Sequence, residues 1–212
     1  NQLAGYVDKN RWVLTLGNLS VLDVFDTNAY SRDPRNKFMN GDFMANGPYD
    51  SAADARGYTW GGVAEFYWDD WAVRFGHLVV PQAPNQLELD ARFWEYFGQQ
   101  VELEHDHVLF GRPGAVRLLG YRNRENMGRF ADAVAAFRAD PAKSAASCDP
   151  QGFRYASRSP TAPDLCWARK PDVKWGIGLN VEQEVWDGIG VFLRAMYSDG
   201  GTEVYAYTST DR

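Results

Sequence analysis

The chain has 212 residues and a mass of 23.9 kDa, and its 45% hydrophobic content with 15% aromatic residues excludes an intrinsically disordered protein. The 22 lysines and arginines against 28 acidic residues give a net charge of −6, so nothing in the balance indicates a nucleic-acid partner. No run approaches the roughly 18 apolar residues of a membrane-spanning helix, but membrane strands leave only an alternating pattern. A membrane protein built from strands therefore remains compatible with the composition.

Residues 1–10 carry neither the basic start nor the apolar run of a signal peptide, so we expect the chain to be a mature or truncated form. Beyond them, alternating apolar and polar residues predict antiparallel hairpins. The predicted strands cover 11–18, 58–68, 71–79, 99–110, 115–123, 173–185 and 189–197, and the predicted tight turns are 69–70, 111–114 and 187–188. The strand from Ala115 alternates poorly, whereas 173–185 separates its apolar residues from its charges.

Long connections alternate with the tight turns. We expect them at 19–56, 80–97 and 124–171, and helical spacing predicts one short helix at 129–139 within the last. In an up-and-down sheet this order places long loops at one end and tight turns at the other, which is typical of an outer-membrane barrel. The predicted fold is all-β, an antiparallel up-and-down transmembrane β-barrel in a single domain over 1–212.

Tryptophans adjoin the tight turns at Trp68, Trp71 and Trp186. Their amphipathic rings are expected at a membrane interface, although tryptophans beside hairpins also pack over the edge of a soluble core. The two cysteines, Cys148 and Cys166, lie 18 positions apart without a matching Cys or His pair for zinc. We favour a disulfide, which would indicate an oxidising compartment; two buried free thiols are the alternative.

Several segments resemble one protein family. They are LTLGNLSVLDVFDTNAYSRDPRNKFMN at 14–40, DARGYTWG at 54–61, DDWAVRFG at 69–76, VELEH at 101–105, RLLGYRNR at 117–124 and KWGIGLNVEQE at 174–184. In this order, and with the two cysteines, they resemble the carbohydrate-selective porins of the OprB family over almost the whole chain. The resemblance implies a sixteen-stranded barrel of the Gram-negative outer membrane that passes sugars and is narrowed by inward-folded loops. Family members have about twice this length, so the eight or nine strands expected here resemble the front half of such a barrel.

An open half sheet would expose unpaired strand edges to lipid, so we expect the remaining strands or another copy of the chain to complete it, and a homo-oligomer stays open. The implied partners are carbohydrate solutes and outer-membrane lipid, and no cofactor is implied.

A wall selective for sugars needs hydrogen-bond donors and acceptors, which side chains of both positive and negative charge provide. The polar face of the predicted strands supplies them, although these side chains could instead pair with one another and brace the wall. The strand candidates are Glu65, Arg74, Glu102, Glu104, Lys174, Asn180, Glu182 and Arg194. The connection 19–56 is the favoured constriction, with candidates Asp23, Asp26, Asp33, Arg35 and Arg56, unless it is merely a solvated loop.

Other clusters suggest different chemistry. Glu102 with Glu104, and Glu182 with Glu184, are same-face carboxylates about 7 Å apart, as in an inverting glycosidase, but any strand with one polar face repeats such pairs. His105 and His107 lack a third metal ligand. Asp23 and Asp26 lack the full pattern of a calcium loop. We therefore predict neither catalysis nor a metal.

The leading hypothesis is a passive, sugar-preferring diffusion pore of the outer membrane. One alternative is an outer-membrane channel for another solute or for polysaccharide export, which a ladder of one charge sign would favour. The other is a soluble carbohydrate-binding β-sandwich, in which the apolar stripe would pack against a second sheet.

Overall fold

A computed structural model describes residues 6–145 and 161–204. They form one antiparallel sheet in which each strand pairs with the next along the chain. The strands are β1 Arg11–Leu19, β2 Thr59–Trp68, β3 Trp71–Leu78, β4 Phe97–Leu109, β5 Arg112–Gly128, β6 Arg169–Trp186 and β7 Ile189–Ser198. The predicted all-β, up-and-down architecture is confirmed, with seven strands in the described residues where eight or nine were expected, and the sheet is not closed.

The helices are short and lie in the long connections. They are α1 Gly41–Met44 between β1 and β2, and α2 Phe130–Ala139 and α3 Pro141–Ala145 between β5 and β6. The helix predicted at 129–139 is confirmed as α2. Within the described residues, no helix is long and apolar enough to cross a membrane.

The turn between β4 and β5 is tighter than the predicted 111–114. Phe110 and Gly111 alone form it, with φ of 53° and 77°, and Leu109 pairs with Arg112 directly beyond it. Two consecutive residues with positive φ are the signature of the hairpin turn that matches strand twist. Pro113 lies within β5 although it has no N–H. It precedes Gly114, the first residue of β5 that pairs with β6, so that ladder needs no donor at Pro113.

The weak alternation of β5 also has a structural cause. The face that carries Arg117 includes Leu119 and Tyr121, which are 2% and 4% exposed because the connection between β1 and β2 packs on them. Because β5 carries apolar side chains on both faces, its sequence does not show the alternation of apolar and polar residues expected of a strand. The strand nevertheless runs for 17 residues and pairs with both neighbours.

The two faces of the sheet differ in what covers them. We call the connection between β1 and β2, residues 20–58, the β1–β2 connection, and the face it packs on the covered face. Val21, Phe25 and Tyr49 of this connection join Leu78 and Leu119 of the sheet in one apolar core. The core therefore lies between the connection and the sheet.

We call the opposite face the open face, because no described residue packs over it as a second layer. Its large apolar side chains are exposed, Trp175 and Ile177 each to 48%. The other exposed apolar residues on this face include Trp12, Leu14, Leu16, Phe75, Val101, Leu103, Leu118, Val191, Leu193 and Tyr197. In a soluble β-sandwich these side chains would be buried against another sheet, whereas in the described residues they are exposed.

Aromatic rings form a chain on the open face near the tight turns. Trp71 stacks on His105 with ring centroids 4.2 Å apart, and Trp68 lies 6.4 Å from Trp71. Phe66 continues the chain and contacts Trp12 at 4.4 Å. Amphipathic rings gathered at one level of an exposed apolar surface are typical of a membrane interface.

Candidate functional site

Charged side chains from five neighbouring strands meet on the covered face. Cross-strand register places Glu65 opposite Arg74, Arg74 opposite Glu102, and Glu104 opposite Arg117. We call the group formed by Glu65, Arg74, Glu102, Glu104, Arg117 and Glu182 the charge row. Because opposed residues on one face of an antiparallel pair stand about 5 Å apart, ion pairs follow directly from this register.

Arg74 is the centre of the first half of the charge row. Its Nε donates to Glu65 at 3.0 Å, its Nη1 to Glu102 at 2.9 Å, and its Nη2 to Glu104 at 3.1 Å. All four side chains are buried; Arg74 is 6% and Glu102 0% exposed. The predicted alternative of mutual pairing therefore describes these residues well, and their polar atoms are largely occupied.

Arg117 links the second half, and sequence reasoning missed it. It donates from Nε to Glu104 and from Nη2 to Glu182 Oε1 at 3.2 Å. Arg117 lies two residues before Leu119, so the two share a face of β5. Because that face alternates poorly between polar and apolar residues, the sequence did not show that Arg117 lies on the charged side. Arg117 joins Glu104 of β4 to Glu182 of β6, so the charge row continues across five strands, β2 to β6.

The β1–β2 connection binds this face through backbone as well as side-chain groups. The backbone N–H of Asp26 donates to Glu102 Oε2 at 2.7 Å, and that of Ala29 donates to Glu182 Oε2 at 2.5 Å. Two carboxylates of the charge row thus orient the connection. Asp26 adopts a φ of 55°, which turns the connection at this contact.

Asn180 and Arg194 hold the same segment from β6 and β7. Asn180 Nδ2 donates to Asp26 Oδ1 at 2.7 Å and its Oδ1 accepts from Asn28 Nδ2 at 2.8 Å. Arg194 donates from Nη2 to the Asp26 carbonyl at 3.0 Å and from Nη1 to Ser31 Oγ at 2.6 Å. Burial raises the pKa of the Asp26 carboxyl, while Arg194 and its hydrogen-bond donors act in the opposite direction.

A second contact fixes the later part of the connection. Lys174 Nζ lies 3.1 Å from Asp50 Oδ2, with side chains 5% and 2% exposed, and Asn123 Nδ2 donates to the Asp50 carbonyl at 2.5 Å. Tyr121 packs on Tyr49, with ring centroids 5.4 Å apart. The β1–β2 connection is thus attached to β4, β5, β6 and β7.

The structure does not bring all of the predicted residues of the connection together. Asp23 is exposed and pairs with Arg32 at 3.2 Å, and Arg56, also exposed, pairs with Asp54 at 3.2 Å. Asp33 lies in an exposed turn, where hydrogen bonds from Asn36 and from the backbone of Arg35 lower its pKa. Of the connection candidates, only Asp26 reaches the sheet contacts described above.

A cavity of about 420 Å³ lies beside the docked connection. The residues that line it include Tyr30, Asp70, Asp106, His107 and Glu182. An aromatic surface next to hydrogen-bond acceptors is chemically suited to a polyhydroxylated solute.

The carboxylate pairs that suggested a glycosidase are each tied to an arginine. Glu102 and Glu104 share Arg74, Glu182 pairs with Arg117, and Glu184 pairs with Arg112 at 2.8 Å. Pairing with an arginine of a neighbouring strand therefore accounts for each of these carboxylates.

The predicted histidines occupy positions of β4 that alternate with Glu102 and Glu104 of the covered face. His105 stacks on Trp71, and His107 lies 3.0 Å from Gln183 on the open side. Among the described residues, no group of three or more His, Cys, Asp or Glu side chains is arranged to hold a metal ion. Cys166 is disulfide-bonded, and its predicted partner Cys148 lies outside the described residues.

Comparison with known families agrees with this geometry. The family whose sequence pattern matches the chain is described as carbohydrate-selective porin, OprB family, and the match covers residues 4–210. No curated protein and no solved structure matches the chain. The chain is an antiparallel meander with an exposed apolar face and a covered charged face, and the family match covers nearly the whole chain. It therefore belongs to the OprB family of carbohydrate-selective porins, which are channels of the Gram-negative outer membrane.

Proposed function

We propose that the chain forms part of the wall of a passive, sugar-preferring diffusion pore. The covered face lines the lumen, the open face contacts lipid, and the β1–β2 connection narrows the passage. The observation that carries the proposal is the docking of this connection on the covered face, where Asp26 and Ala29 donate backbone hydrogen bonds to Glu102 and Glu182. A loop fixed on the polar side of a membrane sheet occupies space that a solute would otherwise cross.

The charges support a preference for small neutral solutes. The charge row together with Asp26 and Arg194 contains five carboxylates and three guanidinium groups, and every one of them is paired. A lumen for a charged solute or an anionic polysaccharide would present a run of one sign. We infer that the charge row braces the wall and orients the connection, while the solute passes Tyr30 and Asp106.

We further propose that the protein performs no catalysis. The candidate carboxylate pairs are engaged by Arg74, Arg112 and Arg117. The family is one of channels, and diffusion down a gradient requires only a shaped, polar path.

Liposome swelling with the complete protein tests the proposal. Proteoliposomes placed in isotonic solutions of a monosaccharide, a disaccharide and a trisaccharide are expected to swell, fastest in the monosaccharide, because the docked connection limits solute size. In planar bilayers the same protein is expected to conduct ions, with sugars reducing the current. Liposomes that stay impermeable to every sugar, or that admit an amino acid of equal size just as fast, would contradict a sugar-preferring pore.

A further inference from the structure

Two arginines on the open face have no carboxylate partner among the residues that the structure describes. Arg122 and Arg124 occupy alternate positions of β5, on the opposite face from the buried Tyr121 and Asn123. Within residues 6–145 and 161–204, neither guanidinium forms a salt bridge. The guanidinium carbon of Arg122 lies 5.6 Å from the ring centroid of Phe97, and the Arg122 side chain is exposed.

Arginines at the ends of β5 and β6 are treated differently. Arg112 pairs with Glu184 at 2.8 Å, and Arg169 pairs with Glu203 at 2.8 Å. In the described part of the chain, counter-charges therefore lie at the ends of these strands, and none pairs with Arg122. An unpaired charge on a lipid-contacting surface needs either water or a partner from outside the protein.

Aromatic rings lie near Arg122. Trp175 lies opposite Arg122 in the β5–β6 register and contacts Tyr197, with ring centroids 5.5 Å apart. On the other side, Trp94 is 76% exposed and its ring lies 5.2 Å from that of His77. Such rings mark the level of the lipid headgroups, where an outward arginine is much less unfavourable than at the membrane midplane.

The position of this patch along the strands identifies the leaflet. Arg122 and Arg124 lie toward the end of β5 that leads into the long connection to β6, while the tight turns at 69–70, 110–111 and 187–188 are at the other end. In outer-membrane barrels the long loops are extracellular and the short turns periplasmic. The patch therefore faces the outer leaflet.

We propose that Arg122 and Arg124 bind the phosphate groups of a phosphorylated glycolipid in the outer leaflet. Guanidinium groups bind phosphate oxygens in a bidentate manner, and two of them on alternate positions of one strand stand about 7 Å apart, close enough to serve one multiply phosphorylated headgroup. The inference rests on membership of the outer-membrane family and does not depend on sugar selectivity.

Native mass spectrometry of the complete, detergent-solubilised protein tests the site with lipid A as the probe. Wild type is expected to retain bound lipid A, and the double variant R122Q/R124Q to lose at least tenfold in apparent affinity. Arg112→Gln is the matched control, since this arginine lies at the turn end and already has a carboxylate partner; it is expected to bind like wild type. R122K/R124K keeps both charges and is expected to recover most of the binding.

Two further arms identify the source of the phosphate. Dephosphorylated lipid A is expected to bind wild type weakly, and excess inorganic phosphate is expected not to displace the phosphorylated lipid. Unchanged lipid A binding by R122Q/R124Q, or equal binding of the dephosphorylated lipid, would overturn the proposal. Displacement by inorganic phosphate alone would show a site for a soluble anion and would overturn it too. Circular dichroism confirms that each variant keeps its strand content.

Discussion

Arg117 is the single side chain whose loss we expect to affect the stability of the charge row strongly, because it pairs with two carboxylates from different strands. Glu104 keeps a second partner in Arg74. Among the described residues, Glu182 pairs with Arg117 alone and accepts a hydrogen bond from the N–H of Ala29. Truncation would leave a buried carboxylate undercompensated, and the cost of such a group exceeds the net gain from a typical ion pair. The same carboxylate orients the connection, so stability and the shape of the passage are coupled here.

Arg117→Met is expected to lower the free energy of unfolding by about 1–3 kcal/mol. The matched control is Arg112→Met, which breaks a partly exposed pair with Glu184 and is expected to cost under about 1 kcal/mol. Urea unfolding of the refolded complete protein in vesicles measures both. Equal losses for the two variants would mean that burial of the charge row adds nothing.

Among the elements, β7 contacts the β1–β2 connection at a glycine, Gly190, which has no side chain. The Tyr30 ring lies where a β carbon on Gly190 would be, so only glycine leaves room for it. Gly190 thus allows Tyr30 to lie against β7 and to form one wall of the cavity beside Asp106. The packing of the β1–β2 connection on β7 therefore depends on close approach between the Tyr30 ring and the backbone of Gly190.

Gly190→Ala is expected to displace Tyr30 and loosen the docked segment around it. Hydrogen exchange of residues 27–31 should become faster by several-fold, and the size selection measured by liposome swelling should weaken. Gly120→Ala is the matched control, because its β carbon would meet nothing within 4 Å and its backbone is ordinary extended strand. Unaltered exchange in Gly190→Ala would show that Tyr30 moves aside without releasing the connection.

For the molecule as a whole, the sheet is inverted relative to a soluble protein. Its apolar open face has no protein layer over it in the described residues, and its charges are buried under the connection. Strands β1 and β7 are its edges, each paired on one side only within the described residues. Unsatisfied backbone groups are not tolerated in the hydrocarbon of a bilayer, so these edges require further strands.

The 212-residue chain expressed alone is therefore expected to self-associate in detergent, since the edges β1 and β7 of one copy can pair with those of another. Size-exclusion chromatography with light scattering measures its mass, and the complete porin serves as the reference. A monodisperse monomer of the isolated chain would contradict the requirement for additional strands.

The sequence by itself determined the strands, most of their turns, the short helix and the separation of apolar from charged residues, because a period of two and turn residues are local properties. The family resemblance followed from ordered segments and needed no coordinates. Local pattern failed at β5, where Leu119 and Tyr121 are apolar on the charged side because a distant connection packs on them.

Only the tertiary structure decided which charges meet. Arg117 joins Glu104 and Glu182 through cross-strand register, and Asp26 reaches Glu102 over 76 residues of sequence. Such contacts depend on how a long connection packs onto the sheet. The local sequence around either residue does not indicate which distant residue it will contact. That no described carboxylate lies beside Arg122 likewise became visible only in the folded chain.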